Sequence, residues 1–290
     1  MPLHLESITN KESSGIIAWI LQNQLNECED AFVTKDKLCI HCSKDIVDKV
    51  SQEKVGEYIF TIKTNLEKQA NEILDVDIIF KNPSNAQIKL TEKLKPSSEA
   101  NEYYNAETEE GGHFQIETVN RYLIEDDLEG KIHNVNLSAF PFKLSLYDDM
   151  KALNTELGFA EEIKVGDTDL TVAGYSETFI ATSDLFKADI NSDETFSFVI
   201  GKITKLQNCR IEMNNEFCDF IIAQLNTAVG NLTTVINPDR YDIEGIAKGK
   251  IIGMQADIKA NFKLNDKYPK PVVAEKTKET FWDKVKSIFK

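Results

Sequence analysis

Histidine and cysteine, the residues that most often bind transition metals or carry redox chemistry, are scarce in this sequence. Its 290 residues include four histidines and five cysteines. The cysteines are Cys28, Cys39, Cys42, Cys209 and Cys218. An odd number without regular spacing does not make a disulfide framework, and in a chain of this size it indicates reduced thiols. We therefore expect a cytoplasmic protein.

Long apolar runs are also missing. The most apolar early segment, residues 15–21, is far shorter than the ~20 residues that a membrane-spanning helix needs. Residues 1–10 contain neither the basic region nor the apolar run of a secretory signal. These absences predict no transmembrane segment and agree with a cytoplasmic location.

The short motifs of common catalytic and nucleotide-binding sites do not occur. G-x-G-x-x-G, H-E-x-x-H and G-x-S-x-G are absent, and Gly249-Lys250 is not followed by the Ser or Thr of a phosphate-binding loop. Asp148-Asp149 fits a solvated face of an acidic protein better than an acid–base pair. We expect no catalytic residue and no cofactor, and the sequence favours a non-enzymatic protein over an enzyme.

Two segments have part of the spacing of a metal site. Cys39 and Cys42 are separated as in zinc and redox motifs, but no second Cys-x-x-Cys pair completes a ligand set. Residues 189–193 match the start of a calcium loop, but Glu194 and Ile200 occupy the positions that require Gly and Glu. We interpret both segments as structural and expect no metal site.

Acidic residues outnumber basic ones 48 to 33, and the excess is concentrated in the middle of the chain. Residues 96–130 contain ten acidic side chains and a single basic one, Arg121. The first part of this region is also poor in aliphatic residues, so it cannot bury enough apolar surface to offset the entropy lost on ordering. We predict an acidic flexible linker or loop at residues 96–112.

Residues 1–95 have apolar stripes of their own and predict a mixed α+β domain. A first helix is expected over about residues 14–27. Ser43 can cap a second, longer helix with apolar positions such as Val47 and Ile59. Strands are expected near residues 76–80 and 86–90, so this domain is predicted to combine helices with strands.

Residues 113–268 contain many segments in which apolar and polar residues alternate, which predicts a β-rich domain. Pro141 indicates a strand edge or a bulge. Within residues 196–262, strand-like runs are separated by turn residues at 230–231 and 237–239, with a helical turn expected near 242–247. This order resembles that of small closed barrels of the oligonucleotide-binding kind, and it predicts a barrel-like core at 196–262.

Basic residues in this core support an alternative function, nucleic-acid binding through the barrel. The candidates are Lys202, Lys205, Arg210, Lys248, Lys250, Lys259 and Lys263. Residues 200–270 have ten basic and eight acidic side chains, however, which is a weak excess for a nucleic-acid binder. The phenylalanines fit core positions better than exposed stacking positions.

Residues 269–290 predict a Pro-linked amphipathic helix. Pro269 and Pro271 precede a set of apolar residues that recur with the spacing of one helix face. They are Phe281, Trp282, Val285, Ile288 and Phe289. A helix this short is marginal alone in water, so we expect this face to dock on a protein partner.

These observations predict an α+β fold, in which an N-terminal mixed α/β domain precedes a β-rich, barrel-like C-terminal half with an amphipathic helical tail. The expected function is that of a non-enzymatic cytoplasmic binding or adaptor protein that acts through protein–protein contacts.

Overall fold

The computed structural model describes residues 30–33, 37–65, 73–80, 85–94, 102–109, 111–118, 127–158, 162–165, 168–171, 174–182, 196–213 and 216–262. These residues form fifteen strands and one helix, α1 (Met150–Glu156). The strands are β1 (Asp30–Val33), β2 (Lys37–Asp48), β3 (Lys54–Asn65), β4 (Ile73–Phe80), β5 (Ala86–Leu94), β6 (Glu102–Glu107), β7 (His113–Thr118), β8 (Ile132–Tyr147), β9 (Glu162–Val165), β10 (Thr168–Thr171), β11 (Phe179–Thr182), β12 (Ser197–Met213), β13 (Glu216–Thr227), β14 (Gly230–Ile236) and β15 (Ile251–Phe262).

The described part of the chain is mostly β-structure, so the predicted α+β fold class is wrong. Ser43 does not cap a helix, because it lies within β2 and is followed by β3 and β4. In β3, residues 58–62 are a run of aromatic and β-branched residues that favours an extended backbone, and Gly56 disfavours a helix. The helix expected at 14–27 and the helical tail at 269–290 lie outside the described residues.

Thirteen strands form one mixed sheet, and β9 pairs with β10 separately. The main order is β13–β14–β8–β5–β6–β7–β15–β12–β2–β3–β4, with β1 paired to β2 and β11 to β12. Additional β12–β13 and β8–β15 pairings join β12, β13, β14, β8 and β15 in a closed circuit of hydrogen-bonded neighbours. Within this circuit the β14–β8 pairing is parallel and the others are antiparallel.

The strands of residues 196–262 do not form the predicted barrel-like core. β8, from an earlier part of the chain, lies between β14 and β15, and β2 extends the sheet beyond β12. The C-terminal strands are therefore part of one mixed sheet that also contains β1–β5. The alternation of apolar and polar residues predicts that a segment is a strand, but it does not identify the strand that pairs with it.

β8 and β15 pair antiparallel along all of β15, from Ile251 opposite Tyr147 to Phe262 opposite Val135. The register shifts after Gln255, where the next pair of β15 and β8 residues includes Pro141. Because proline has no N–H to donate to the sheet, an irregularity is expected beside it. The bulge predicted at Pro141 is confirmed.

Part of the predicted flexible linker is sheet. Residues 102–107, inside the 96–112 segment, form β6, which pairs with β5 and β7. Tyr104 and Ala106 are buried in the main hydrophobic core. The acidic residues around them made this segment resemble a linker. A strand such as β6 nevertheless needs apolar residues only at alternate positions.

Two hydrophobic clusters lie on opposite faces of β12. The main core includes Val199 and receives residues from every strand of the closed circuit and from β5–β7. The smaller cluster is formed by Ile200 of β12, Ile251 of β15 and Leu153 of α1. This burial of both faces creates a second apolar compartment beneath α1.

Candidate binding site beneath helix α1

Helix α1 begins directly after β8, at two adjacent aspartates. Asp149 is the N-cap, and its Oδ1 accepts a hydrogen bond from the Ala152 N–H at 2.8 Å. This contact satisfies one of the open donors at the helix start. Asp148 forms an ion pair with Lys250 at 3.0 Å. Both aspartates therefore have structural partners.

Residues 174–182 are attached to α1 through one side chain. Asn154 accepts a hydrogen bond from the Tyr175 N–H at 2.9 Å and donates one to the Tyr175 carbonyl at 3.3 Å. A Cβ at Gly174 would lie only 2.4 Å from the Asn154 Cγ, so this close approach needs glycine. The two hydrogen bonds hold Tyr175 beside the helix.

Tyr175, held in this way, belongs to a group of three neighbouring aromatic rings with Phe179 and Phe198. The centroid of the Tyr175 ring lies 4.6 Å from that of Phe179 and 6.0 Å from that of Phe198. Separations of this size and tilted ring planes are favourable for aromatic pairs. The three rings pack against the smaller hydrophobic cluster and form one apolar wall.

These elements surround a cavity of about 370 Å³, which we call the α1 cavity. β8 contributes Lys143, Ser145 and Tyr147, β15 contributes Gly253, Met254 and Gln255, and the other lining residues are Leu153, Glu156, Leu157, Tyr175 and Phe198. A Cβ at Gly253 would lie 3.3 Å from the Tyr147 ring and 3.6 Å from Leu153. Glycine at this position therefore keeps space open between the sheet and the helix.

The polar groups of the α1 cavity lie on a largely apolar lining. Burial is the main cause that raises the pKa of both Tyr147 and Tyr175, and a hydrogen bond from Ser145 acts in the opposite direction on Tyr147. The Tyr147 hydroxyl donates to Glu156 Oε1 at 3.1 Å. Among the described lining residues there is no histidine or cysteine, and Ser145 bonds a tyrosine rather than a base. The arrangement suits binding of an apolar group and offers no activated nucleophile.

The histidines His113 and His133 and the cysteine pair Cys39 and Cys42 lie in separate parts of the structure. His133 is buried, with its Nε2 at 2.8 Å from the Leu128 carbonyl and its ring edge-on to Phe262, whereas His113 is exposed. Cys39 and Cys42 lie on β2, three positions apart. Within the described ranges, no group of three or more His, Cys, Asp or Glu residues is placed to hold a metal ion.

The five predicted partner-docking residues lie outside the described residues, so their role stays a prediction. They are Phe281, Trp282, Val285, Ile288 and Phe289. Residues 189–193, which match the start of a calcium loop, also lie outside them.

Four of the predicted nucleic-acid-binding side chains have acidic partners. Lys202 pairs with Glu177 at 3.3 Å, Lys250 pairs with Asp148, and Lys259 is buried in an ion pair with Glu117. Arg210 bonds both carboxylate oxygens of Asp219, and this contact is the main cause that lowers the pKa of Asp219 to about 2. These pairings neutralise much of the proposed basic face.

Cys209 should resist alkylation in the folded protein. Its thiol is fully buried, and burial raises its pKa to about 12. At pH 8 it is therefore almost entirely protonated, and only the thiolate is a strong nucleophile. Iodoacetamide treatment followed by peptide mass mapping should leave Cys209 unmodified in native protein and modify it in urea. The half-buried Cys218 is the internal comparison, and equal labelling of both in native protein would contradict this prediction.

The α1 cavity was not predicted from the sequence. Its aromatic residues Tyr147, Tyr175 and Phe198 lie on three segments that are far apart in the chain. The available local signal was the alternation of Phe196, Phe198 and Ile200, which indicated one buried face of β12. It did not indicate that β8, β15, α1 and residues 174–182 would enclose a cavity on that face.

Comparison of this chain with protein-family models, with curated proteins and with solved structures found no significant match. In the part of the chain that the structure describes, no helix is both long enough and apolar enough to cross a membrane.

Proposed function

We propose that this chain is a non-enzymatic cytoplasmic binding protein that acts through protein–protein contacts, with the α1 cavity receiving a side chain of the partner. The α1 cavity is the observation that supports this function. Aromatic and aliphatic residues make up most of its lining, with a few polar groups between them. This composition is usual for binding pockets, and the lining residues that the structure describes include no nucleophile paired with a base.

An aromatic side chain is the occupant that fits best. A cavity of about 370 Å³ is near the lower end of the ~300–1,000 Å³ range of ligand pockets, so it has room for about one large side chain. The rings of Tyr175 and Phe198 can pack edge-on or offset against another ring. Aromatic side chains seated in pockets also supply much of the affinity of protein interfaces.

A random peptide library selected against the full chain should yield peptides with an aromatic anchor residue. Gln255→Trp places a large side chain in the α1 cavity and should abolish their binding. Gln224→Trp is the matched control, because Gln224 is also a half-buried strand glutamine but does not line the cavity. Selected peptides that bind both variants equally would reject the α1 cavity as the site.

We keep the C-terminal helix as a second proposed contact with a protein partner. Its support is the apolar stripe of Phe281, Trp282, Val285, Ile288 and Phe289. Trp282→Ala combined with Phe289→Ala would weaken partner binding without changing the melting temperature if this stripe docks on a partner. A large fall in melting temperature would mean that it packs on its own chain.

Nucleic-acid binding has less support. The exposed aromatic Phe217 is 64% accessible, but the Arg210 guanidinium lies over its ring at 4.9 Å and is also bonded to Asp219. Stacking of bases needs aromatic faces that are accessible together with an excess of positive charge. The ion pairs of Lys202, Lys250 and Lys259 reduce that excess.

A further inference from the structure

The two ends of the α1 cavity carry opposite charges. Lys143, Ser145 and Tyr147 alternate along β8 and therefore share the face that lines the cavity. Glu156 is bonded to Tyr147 at one end, and Lys143 lies four strand residues away, which corresponds to ~13 Å along the backbone. A negative group at the Lys143 end would therefore be separated from the Glu156 carboxylate.

Lys143 is well placed to interact with a bound molecule. It lines the α1 cavity, its side chain is exposed, and it has no acidic partner among the described residues. By contrast, Lys202, Lys250 and Lys259 all have one. In a chain with a net charge of −15, an ammonium group that has no acidic partner in the described part of the chain and lies beside an apolar cavity is an available anion-binding group.

The sheet places this cation and the aromatic wall in one row. Lys143 is opposite Gln255 on β15, and Gln255 is opposite Phe198 on β12. Two strand spacings separate the Lys143 and Phe198 backbones by ~10 Å, and the long lysine side chain shortens the distance to the ring. A ligand that packs a ring against Phe198 and places an anion beside Lys143 must therefore carry these two groups close together.

The geometry points to a ligand in which an aromatic ring and a carboxylate belong to the same residue, the C-terminal aromatic residue of a polypeptide. This assignment rests on the proposed function and specifies the partner. The cavity holds about one large side chain, so an acidic group on a neighbouring residue would lie outside it. The ring contacts Tyr175 and Phe198, and the free α-carboxylate interacts with Lys143.

N-acetyl-L-tryptophan and its C-terminal amide test this assignment, because they share the same ring and backbone and differ in the terminal group, a charged carboxylate or a neutral amide. Calorimetric titration of the full chain should give about threefold to fivefold tighter binding for the acid at low salt, and less difference in 0.5 M NaCl. The tripeptide Ala-Ala-Trp, with a free or an amidated C-terminus, should show the same preference.

Variants of Lys143 test whether its charge causes the preference for the acid over the amide. Lys143→Gln should remove the preference for the acid over the amide, and Lys143→Arg should keep that preference. Lys205→Gln is the matched control, because Lys205 is an exposed strand lysine that does not line the α1 cavity.

Four results would overturn the assignment. Equal binding of the acid and the amide to the wild type, or an unchanged preference in Lys143→Gln, would reject the role of Lys143 and leave the proposed function standing. Binding of N-acetyl-L-tryptophan without binding of Ala-Ala-Trp would reject a polypeptide as the source. Failure of all four ligands to bind would reject the aromatic-binding cavity itself.

Discussion

Replacing Lys259 with methionine should lower the free energy of unfolding by about 3–5 kcal/mol. The Lys259 Nζ lies 2.5 Å from Glu117 Oε2, and the side chains are only 3% and 8% exposed. β7 and β15 are parallel here, with the two residues opposite each other. Removal of the ammonium group takes away the buried positive charge that Glu117 bonds in this pair, and a domain of marginal stability loses a large fraction of its total free energy of unfolding.

Urea unfolding at pH 7 measures the loss in the free energy of unfolding. Two further variants show whether this loss comes from the buried ion pair. The double variant Lys259→Met with Glu117→Leu should recover most of the stability, because a buried ion pair exchanged for apolar residues is often close to neutral. Lys202→Met breaks the exposed pair with Glu177 and should cost less than about 1 kcal/mol. Equal losses for Lys259→Met and Lys202→Met would contradict the special role of burial.

Tyr104→Ala should destabilise the protein by about 3–5 kcal/mol, similar to other buried aromatic truncations. Tyr104 is 2% exposed and belongs to the main hydrophobic core, although it lies in the acidic segment predicted as a linker. The substitution removes apolar contacts and leaves a cavity between β6 and its neighbours. In a flexible linker the same substitution would have almost no effect.

Thermal and urea unfolding of variants at Tyr103 and Tyr104 show whether β6 is a core strand or a flexible linker. Tyr103→Ala is the matched control, because Tyr103 is the adjacent tyrosine and is only half-buried, so its loss should be smaller. Tyr104→Phe removes the hydroxyl group, which donates to Glu102, and should cost about 0.5–1.5 kcal/mol. A wild-type melting curve for Tyr104→Ala would mean that β6 contributes nothing to the core.

Individual strands of the C-terminal region were predictable from local sequence. The run that became β15, Ile251–Phe262, is rich in residues that suit a buried strand, and turn residues precede it. Pro141 marked an irregularity in β8 because a missing N–H has a local consequence. These features depend on backbone preferences of a few consecutive residues.

The segment that follows Ser43 was misread as a helix because its apolar spacing does not distinguish a helix from a strand. Val47, Ile59 and their apolar neighbours match parts of both a helical and an extended spacing, and tertiary pairing decides between them. The structure pairs β2 with β3 and β3 with β4, which follow one another in the chain, and β2 with β12, which is far along it, so the extended form gains hydrogen bonds from other strands. A single segment contains no information about those partners.

The α1 cavity shows the limit of local sequence most clearly. Sequence alone predicts that residues 196–200 form a strand, and the alternation of Phe196, Phe198 and Ile200 indicates one buried face. The tertiary structure decides that β8 and β15 lie beside that strand, that Asn154 holds Tyr175 over it, and that Lys143 faces the resulting space. Backbone preferences act over a few residues, whereas strand pairing and cavity formation join segments that are tens of residues apart. Only the folded chain brings their side chains together.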